Sequence, residues 1–183
     1  KHPAHTHSGI IPRAGGFPIY IALVISSFIF LESNKILTGI LLSNTFLLVL
    51  GLLDDKYDLK PHLQIIWPMA AVLAVVFSGV QVERITNPFG GVLSLAPWVS
   101  AVFIIFWLLT LIYTTKFLDG LDGLVSGLLF IGSAVIFSLS LFTKYYQPEV
   151  AVLCAMLAGS ALGFLIFNFY PAKIFLGEGG STL

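Results

Sequence analysis

Long apolar runs separated by short polar stretches make up most of the chain, and their lengths match what a lipid bilayer demands. Six runs stand out, at 17–31, 36–53, 63–80, 97–115, 124–142 and 150–169. A helix needs about 20 such residues to cross a hydrocarbon core, and the first run, the shortest, borrows from the glycines at 15 and 16. A closed β-barrel would instead show segments of about ten residues alternating apolar and polar. The pattern predicts an all-α fold, a polytopic transmembrane helical bundle. Between the third and fourth runs, Val80, Val82 and Ile85 alternate with polar residues before a turn at 87–91. That stretch predicts a small β-hairpin on the outer, periplasmic surface.

Residues 1–183 read as a single transmembrane domain, incomplete, with six full spans and the start of a seventh. Residues 1–16 are polar and carry proline, glycine and arginine where a leader would be apolar, and an apolar segment resumes after Ser181. The expectation is therefore an internal piece of a longer protein.

Composition agrees with lipid as the main solvent. Apolar residues make up 57% of the sequence and charged residues 10%, against about 25% charged in a soluble domain; the mean hydropathy is +0.98. A net charge of zero with no basic run argues against nucleic acid as a partner. The single cysteine, Cys154, lies in an apolar run and has no internal disulfide partner.

Six spans that alternate direction divide the loops between two sides. One side receives Lys1, Arg13, Lys56, Lys60, Lys116 and Lys173, the other Lys35, Arg84 and Lys144, which makes the first side cytoplasmic. The acids divide more sharply. Asp54, Asp55, Asp58, Asp119, Asp122 and Glu178 fall on the cytoplasmic side, with Glu32, Glu83 and Glu149 on the other. Loops are where charge can reside, yet the outer loops show no such clustering.

Asp54 and Asp55 end the second run, at the negative end of a helix dipole. Two adjacent carboxylates there call for a cation or a proton nearby, and magnesium bridging them to a phosphate fits; solvated acids beside Lys56 and Lys60 are the alternative. Asp119 and Asp122 belong to a double Asp-Gly-Leu repeat at 119–124, placed to enter the fifth span. On a helix, their spacing would put both on one face. They suit helix capping, and the glycines admit close approach of a phosphate or sugar. Glu178 and Ser181 lie in a loop of small residues, where backbone N–H groups at a helix start favour anions and the carboxylate adds a metal ligand. Arg13, after Pro12 and before Gly15 and Gly16, offers a bidentate phosphate contact or a positive anchor for the first span. His2, His5 and His7 lack the cysteine or acid companions of a zinc site.

At these residues the chain resembles the polyprenyl-phosphate N-acetylhexosamine-1-phosphate transferases, glycosyltransferase family 4, of the undecaprenyl-phosphate GlcNAc-1-phosphate transferase and phospho-MurNAc-pentapeptide transferase type. The likeness runs through the loop from His7 to Gly16, the segment 50–58 with Asp54, Asp55 and Asp58, the repeat of Asp119 and Asp122, and 168–181 with Lys173, Glu178 and Ser181. It implies a bundle of ten or eleven spans, of which this sequence holds the second to the seventh. It implies transfer of an N-acetylhexosamine 1-phosphate from a UDP-amino sugar to undecaprenyl or another polyprenyl phosphate, with release of UMP, for cell-envelope glycans such as peptidoglycan or lipopolysaccharide. Phospho-N-acetylmuramoyl-pentapeptide transfer is the alternative. The implied cofactor is Mg2+, with Mn2+ as a substitute.

Carried over residue by residue, the likeness makes Asp54, Asp55, Asp119 and Asp122 catalytic. It makes Glu178 and Asp55 the metal ligands, and Arg13, Lys60, Lys116 and Ser181 contacts to substrate. The implied location is the inner (plasma) membrane, multi-pass, with the active site on the cytoplasmic face; a homodimer is left open. The sequence departs from the family's habit at Glu178 (usually Asp), Gly179 (usually a hydroxyl residue), Lys116 (usually Asn) and Gln64 (commonly Lys). Lys116 is expected to supply the charge absent at Gln64. An inactive homologue and an ion-coupled transporter are the competing classes. A transporter would place acids near mid-span, whereas these stand at span ends.

Overall fold

The computed structural model describes residues 11–87, 90–144 and 146–183. Its elements are α1 (Gly16–Phe30), α2 (Lys35–Tyr57), α3 (Leu63–Phe77), β1 (Arg84–Thr86), β2 (Val92–Ser94), α4 (Pro97–Leu118), α5 (Leu124–Phe142), α6 (Pro148–Asn168) and α7 (Gly177–Ser181). Local chemistry sets several boundaries. Asn34 caps α2, its Oδ1 accepting the Leu37 N–H at 2.7 Å. Pro97 and Pro148 open α4 and α6, where their missing N–H costs nothing. Asp58 closes α2 in the left-handed region at φ 51°.

Helices α2, α4, α5 and α6, of 23, 22, 19 and 21 residues, are long and apolar enough to cross a membrane. The other two, α1 and α3, are apolar but only 15 residues long. The third run was expected to continue to 80, but α3 stops at Phe77, and Gly79 at φ 105° turns the chain away. The outer surface is hydrocarbon, with Phe28, Ile29, Phe106, Phe142 and Ile166 all exposed. Small residues meet inside, among them Ser27, Ser100, Ser126, Ser133 and Ala161, the pattern expected when close helix approach rather than water exclusion drives packing. Several hydroxyls within the spans turn back on their own helix, as Ser26 does to the Ala22 carbonyl and Thr110 to that of Phe106, which pairs those donors without water.

Helices α5 and α6 pack along each other, α1 lies on α6, and α2 on α3. One core cluster joins Ile19, Val125, Phe164 and Leu176; a second joins Leu47, Trp67 and Ala71. The starts of α1, α3 and α5 and the ends of α2, α4 and α6 gather at one end of the bundle, around α7. This is the alternation of sides expected of six successive spans. At the opposite end, β1 and β2 form the expected antiparallel hairpin in the register Arg84↔Ser94, Ile85↔Leu93, Thr86↔Val92. The Val82 N–H donates to Ser100 Oγ at 2.7 Å and ties that hairpin to α4.

Candidate active site

The five residues of α7 organise the site. Segment 12–16 runs beside segment 175–176: Arg13 bridges to Phe175, and the N–H groups of Gly15 and Gly16 donate to the carbonyls of Phe175 and Leu176 at 3.0 and 3.1 Å. The chain then enters α7 through Gly177 at φ 77°. Two glycine contacts let α7 sink between its neighbours. A Cβ on Gly51 of α2 would lie 2.3 Å from Gly179 Cα, and one on Gly16 of α1 would lie 2.4 Å from Gly180 Cα. Only residues without a side chain fit there. Thr115 of α4 completes the cradle, its Oγ1 donating to the Ser181 carbonyl at 2.6 Å.

This docking separates the two adjacent aspartates. Asp54 is buried, its Oδ1 accepting the Leu59 N–H and its Oδ2 accepting Gln64 Nε2, both at 2.9 Å. Asp55 faces α7, its Oδ2 accepting the Glu178 N–H at 2.9 Å while its Oδ1 is buried without a hydrogen-bond partner. The backbone N–H expected to receive a substrate anion is therefore engaged by a carboxylate of the protein itself. Glu178 Oε2 is also buried without a hydrogen bond, and it forms an ion pair with Lys116 Nζ at 2.7 Å.

The Asp-Gly-Leu repeat does not form the single helical face that its spacing suggested. Asp119 ends α4 as its C-cap, and the chain turns through Gly123 at φ 72° before α5 begins. The two acids consequently part. Asp122 accepts the Ala172 N–H at 3.0 Å. Burial first, then the charges of Glu178 and Asp55, push the Asp119 pKa up to about 7, with Arg13 opposing. Arg13 itself is exposed.

Of the remaining expected residues, Ser181 is buried, its hydroxyl 3.3 Å from the Glu178 carbonyl within α7. Lys60 is exposed in the α2–α3 loop, and no contact joins its side chain to Asp55 or Glu178. Lys116 does not stand in for a lysine at Gln64, because Gln64 serves Asp54 while Lys116 serves Glu178. The histidines at 2, 5 and 7 lie outside the described residues.

Asn168 carried no assigned role in the sequence, yet it holds this end of the bundle together. Its Oδ1 accepts the Gly123 N–H at 3.1 Å and the Ser126 hydroxyl at 2.9 Å, and its Nδ2 donates to the Ile174 carbonyl at 3.0 Å. The turn bearing Asp119 and Asp122 is thereby fixed to the segment leading into α7. An asparagine at the end of a long apolar run is the signal that could have singled it out, though not its partners.

Among the described residues, no three His, Cys, Asp or Glu side chains stand close enough to chelate an ion by themselves. Asp55 Oδ1, which has no partner, and Glu178 Oε2, which is held only by the Lys116 ion pair, instead suit a hard cation that takes one or two carboxylates and fills its shell with phosphate and water.

Fold and site together define a polytopic helical membrane protein with a carboxylate cluster at one end of its bundle. The model of glycosyl transferase family 4 matches residues 37–183, and the chain belongs to that family. It is 32% identical over 178 residues to a Bacillus subtilis (strain 168) protein described as a probable undecaprenyl-phosphate N-acetylglucosaminyl 1-phosphate transferase, covering 96% of this chain and 49% of that protein. It is 31% identical to the decaprenyl-phosphate N-acetylglucosaminephosphotransferase of Mycobacterium leprae (strain TN), over 94% of this chain and 48% of the relative. A phospho-N-acetylmuramoyl-pentapeptide-transferase of Listeria welshimeri is 42% identical over a shorter 101 residues, 54% of this chain and 30% of the relative. The chain thus spans about half the length of the curated relatives it matches over most of its own length.

Proposed function

We propose that the protein is a membrane phosphotransferase that moves an N-acetylhexosamine 1-phosphate from a UDP-amino sugar to a polyprenyl phosphate. An oxygen of the acceptor phosphate forms a bond to the sugar-bearing phosphorus, the diphosphate bond to the nucleotide breaks, and UMP leaves. The observation that carries the reading is Asp55 Oδ1, a buried carboxylate oxygen with no partner, beside Glu178 and within electrostatic reach of Asp119. Phosphoryl transfer asks chiefly for positioning and charge neutralisation, and this end of the bundle supplies both at the edge of the lipid that would hold the acceptor's tail.

Asp55 and Glu178 would hold magnesium, which supplies neutralisation of the diphosphate when bound. Arg13, exposed on the 12–16 segment, would take a phosphate. Asp122 and Asn168 keep the loops in register rather than meeting substrate. The excess of Lys and Arg on the loops of this side supports a cytoplasmic face of the plasma membrane.

The names of the Bacillus and Mycobacterium relatives favour N-acetylglucosamine 1-phosphate as the transferred group. The Listeria relative keeps phospho-N-acetylmuramoyl-pentapeptide as the second reading. The test is UMP release by the full-length parent protein in nanodiscs, with UDP-N-acetylglucosamine, undecaprenyl phosphate and Mg2+. Acceptor- and metal-dependent UMP that vanishes in Asp55→Asn supports the reading, and UMP only with the muramoyl-pentapeptide donor selects the alternative. Failure of both donors overturns it.

A further inference from the structure

Lys116 puts a positive charge where a metal ion's charge would be needed. It stands in the last turn of α4, one residue after the Thr115 contact that fixes α4 to α7. Its Nζ lies 2.7 Å from Glu178 Oε2, with side-chain exposures of 14% for Lys116 and 36% for Glu178. That oxygen has no hydrogen bond, so the ammonium is its main source of compensation. Asp55, whose Oδ2 accepts the Glu178 N–H, presents a partnerless Oδ1 beside α7.

We propose that the Lys116 ammonium is an internal counter-ion that competes with a divalent metal for Glu178, so that metal enters this site by displacing it. The inference rests on the metal reading given above. An ammonium and a divalent ion held against one carboxylate oxygen repel each other strongly in a half-buried setting, so each weakens the other's hold. Lysine suits displacement, because its charge rides on a flexible four-carbon stem with rotatable donors. Once displaced, the ammonium is free to pair with a phosphate, which would couple metal entry to the arrival of a phosphorylated substrate. Without metal, the pair keeps Glu178 compensated and α7 seated.

The test is Mn2+ binding to the full-length parent protein in detergent, read by the electron paramagnetic resonance signal of free Mn2+, with no substrate present. Lys116→Gln should tighten Mn2+ binding on the order of tenfold or more by removing the competing charge. Lys116→Arg should stay near the wild-type affinity, and Glu178→Gln should weaken binding in both the wild-type and Lys116→Gln backgrounds. Lys116→Met, which keeps the apolar stem, repeats the measurement if the glutamine variant is recovered poorly. Unchanged or weaker binding in Lys116→Gln and Lys116→Met overturns the counter-ion. If wild-type binding is nevertheless lost in Asp55→Asn, the metal site survives without it. No Mn2+ binding in wild type and Lys116→Gln alike overturns the counter-ion and the metal reading together.

Discussion

Replacing Gly51 with alanine tests whether the depth at which α7 sits against α2 sets the geometry of the site. The new Cβ would lie 2.3 Å from Gly179 Cα and 2.4 Å from Gly179 N, where ordinary contact begins at 3.4 Å. Both sides of the clash are backbone, so no rotamer relieves it, and α7 must retreat by about 1 Å. The Glu178 N–H to Asp55 hydrogen bond, 2.9 Å now, would stretch to about 3.9 Å, beyond hydrogen-bonding range. Stability should change little. Overpacking costs about 1–3 kcal/mol, and alanine returns about 1 kcal/mol of helix propensity, leaving a net loss of about 0–2 kcal/mol. Activity should respond far more, with UMP release falling at least tenfold on the order expected for a misplacement of this size. Gly132→Ala is the control, because its Cβ would meet nothing within 4 Å; it should keep the rate and match or exceed wild-type stability. Wild-type UMP release by Gly51→Ala would refute the link between α7 depth and chemistry.

The adjacent aspartates should behave in opposite ways. Asp54→Ala breaks two hydrogen bonds to a buried carboxylate and should cost about 3 kcal/mol in thermal or chemical unfolding, whereas Asp55→Asn, removing a charge with a partnerless oxygen, should abolish UMP release without comparable destabilisation. Asn168→Ala removes three bonds and should lose about 3 kcal/mol, and a loss below 1 kcal/mol by the same measurement would show that its partners repair themselves. Asp119 holds its proton up to about 7 in the fold, against 3.8 as the ordinary value. Without metal, in EDTA, the folded state therefore binds the extra proton between those values, so stability should fall as pH rises through that window and level off above it. Asp119→Asn should flatten that slope in a series of thermal scans, and an unchanged slope would place the titration elsewhere.

The helices were legible because the bilayer leaves so few solutions: an apolar run of fixed length has to satisfy its own backbone, so position along the chain nearly determines structure. The sidedness of Asp55, Asp119 and Glu178 followed from the same alternation. What the one-dimensional pattern could not carry was direction within a loop. Asp54 and Asp55 look equivalent in sequence, but successive positions on α2 point different ways, one to the α3 loop and one to α7. Asp119 and Asp122 would share one face on a continuous helix, but α4 ends at Leu118 and both acids fall in the turn to α5. Asn168, Gly16 and Gly51 were invisible as partners because their contacts join segments remote in sequence, and nothing in a local window records such a meeting. Lys116 was expected to act for Gln64, since sharing a side of the membrane says nothing about which acid a lysine reaches.

The bridge between Arg13 and Phe175 also constrains the order in which the parts of this site can come together. These positions lie about 160 residues apart, so the contact is among the most non-local in the fold and cannot form until nearly all of the described chain has left the ribosome. The earlier helices can insert and pair as hairpins while Asp55 still faces water. Arrival of residues 175–181 then brings segment 12–16 against 175–176, seats the glycine-lined turn and partly withdraws Asp55 and Glu178 from solvent. Helices α1 to α6 are thus in place before the charge centre forms, and its burial is deferred until the scaffold that supports it exists.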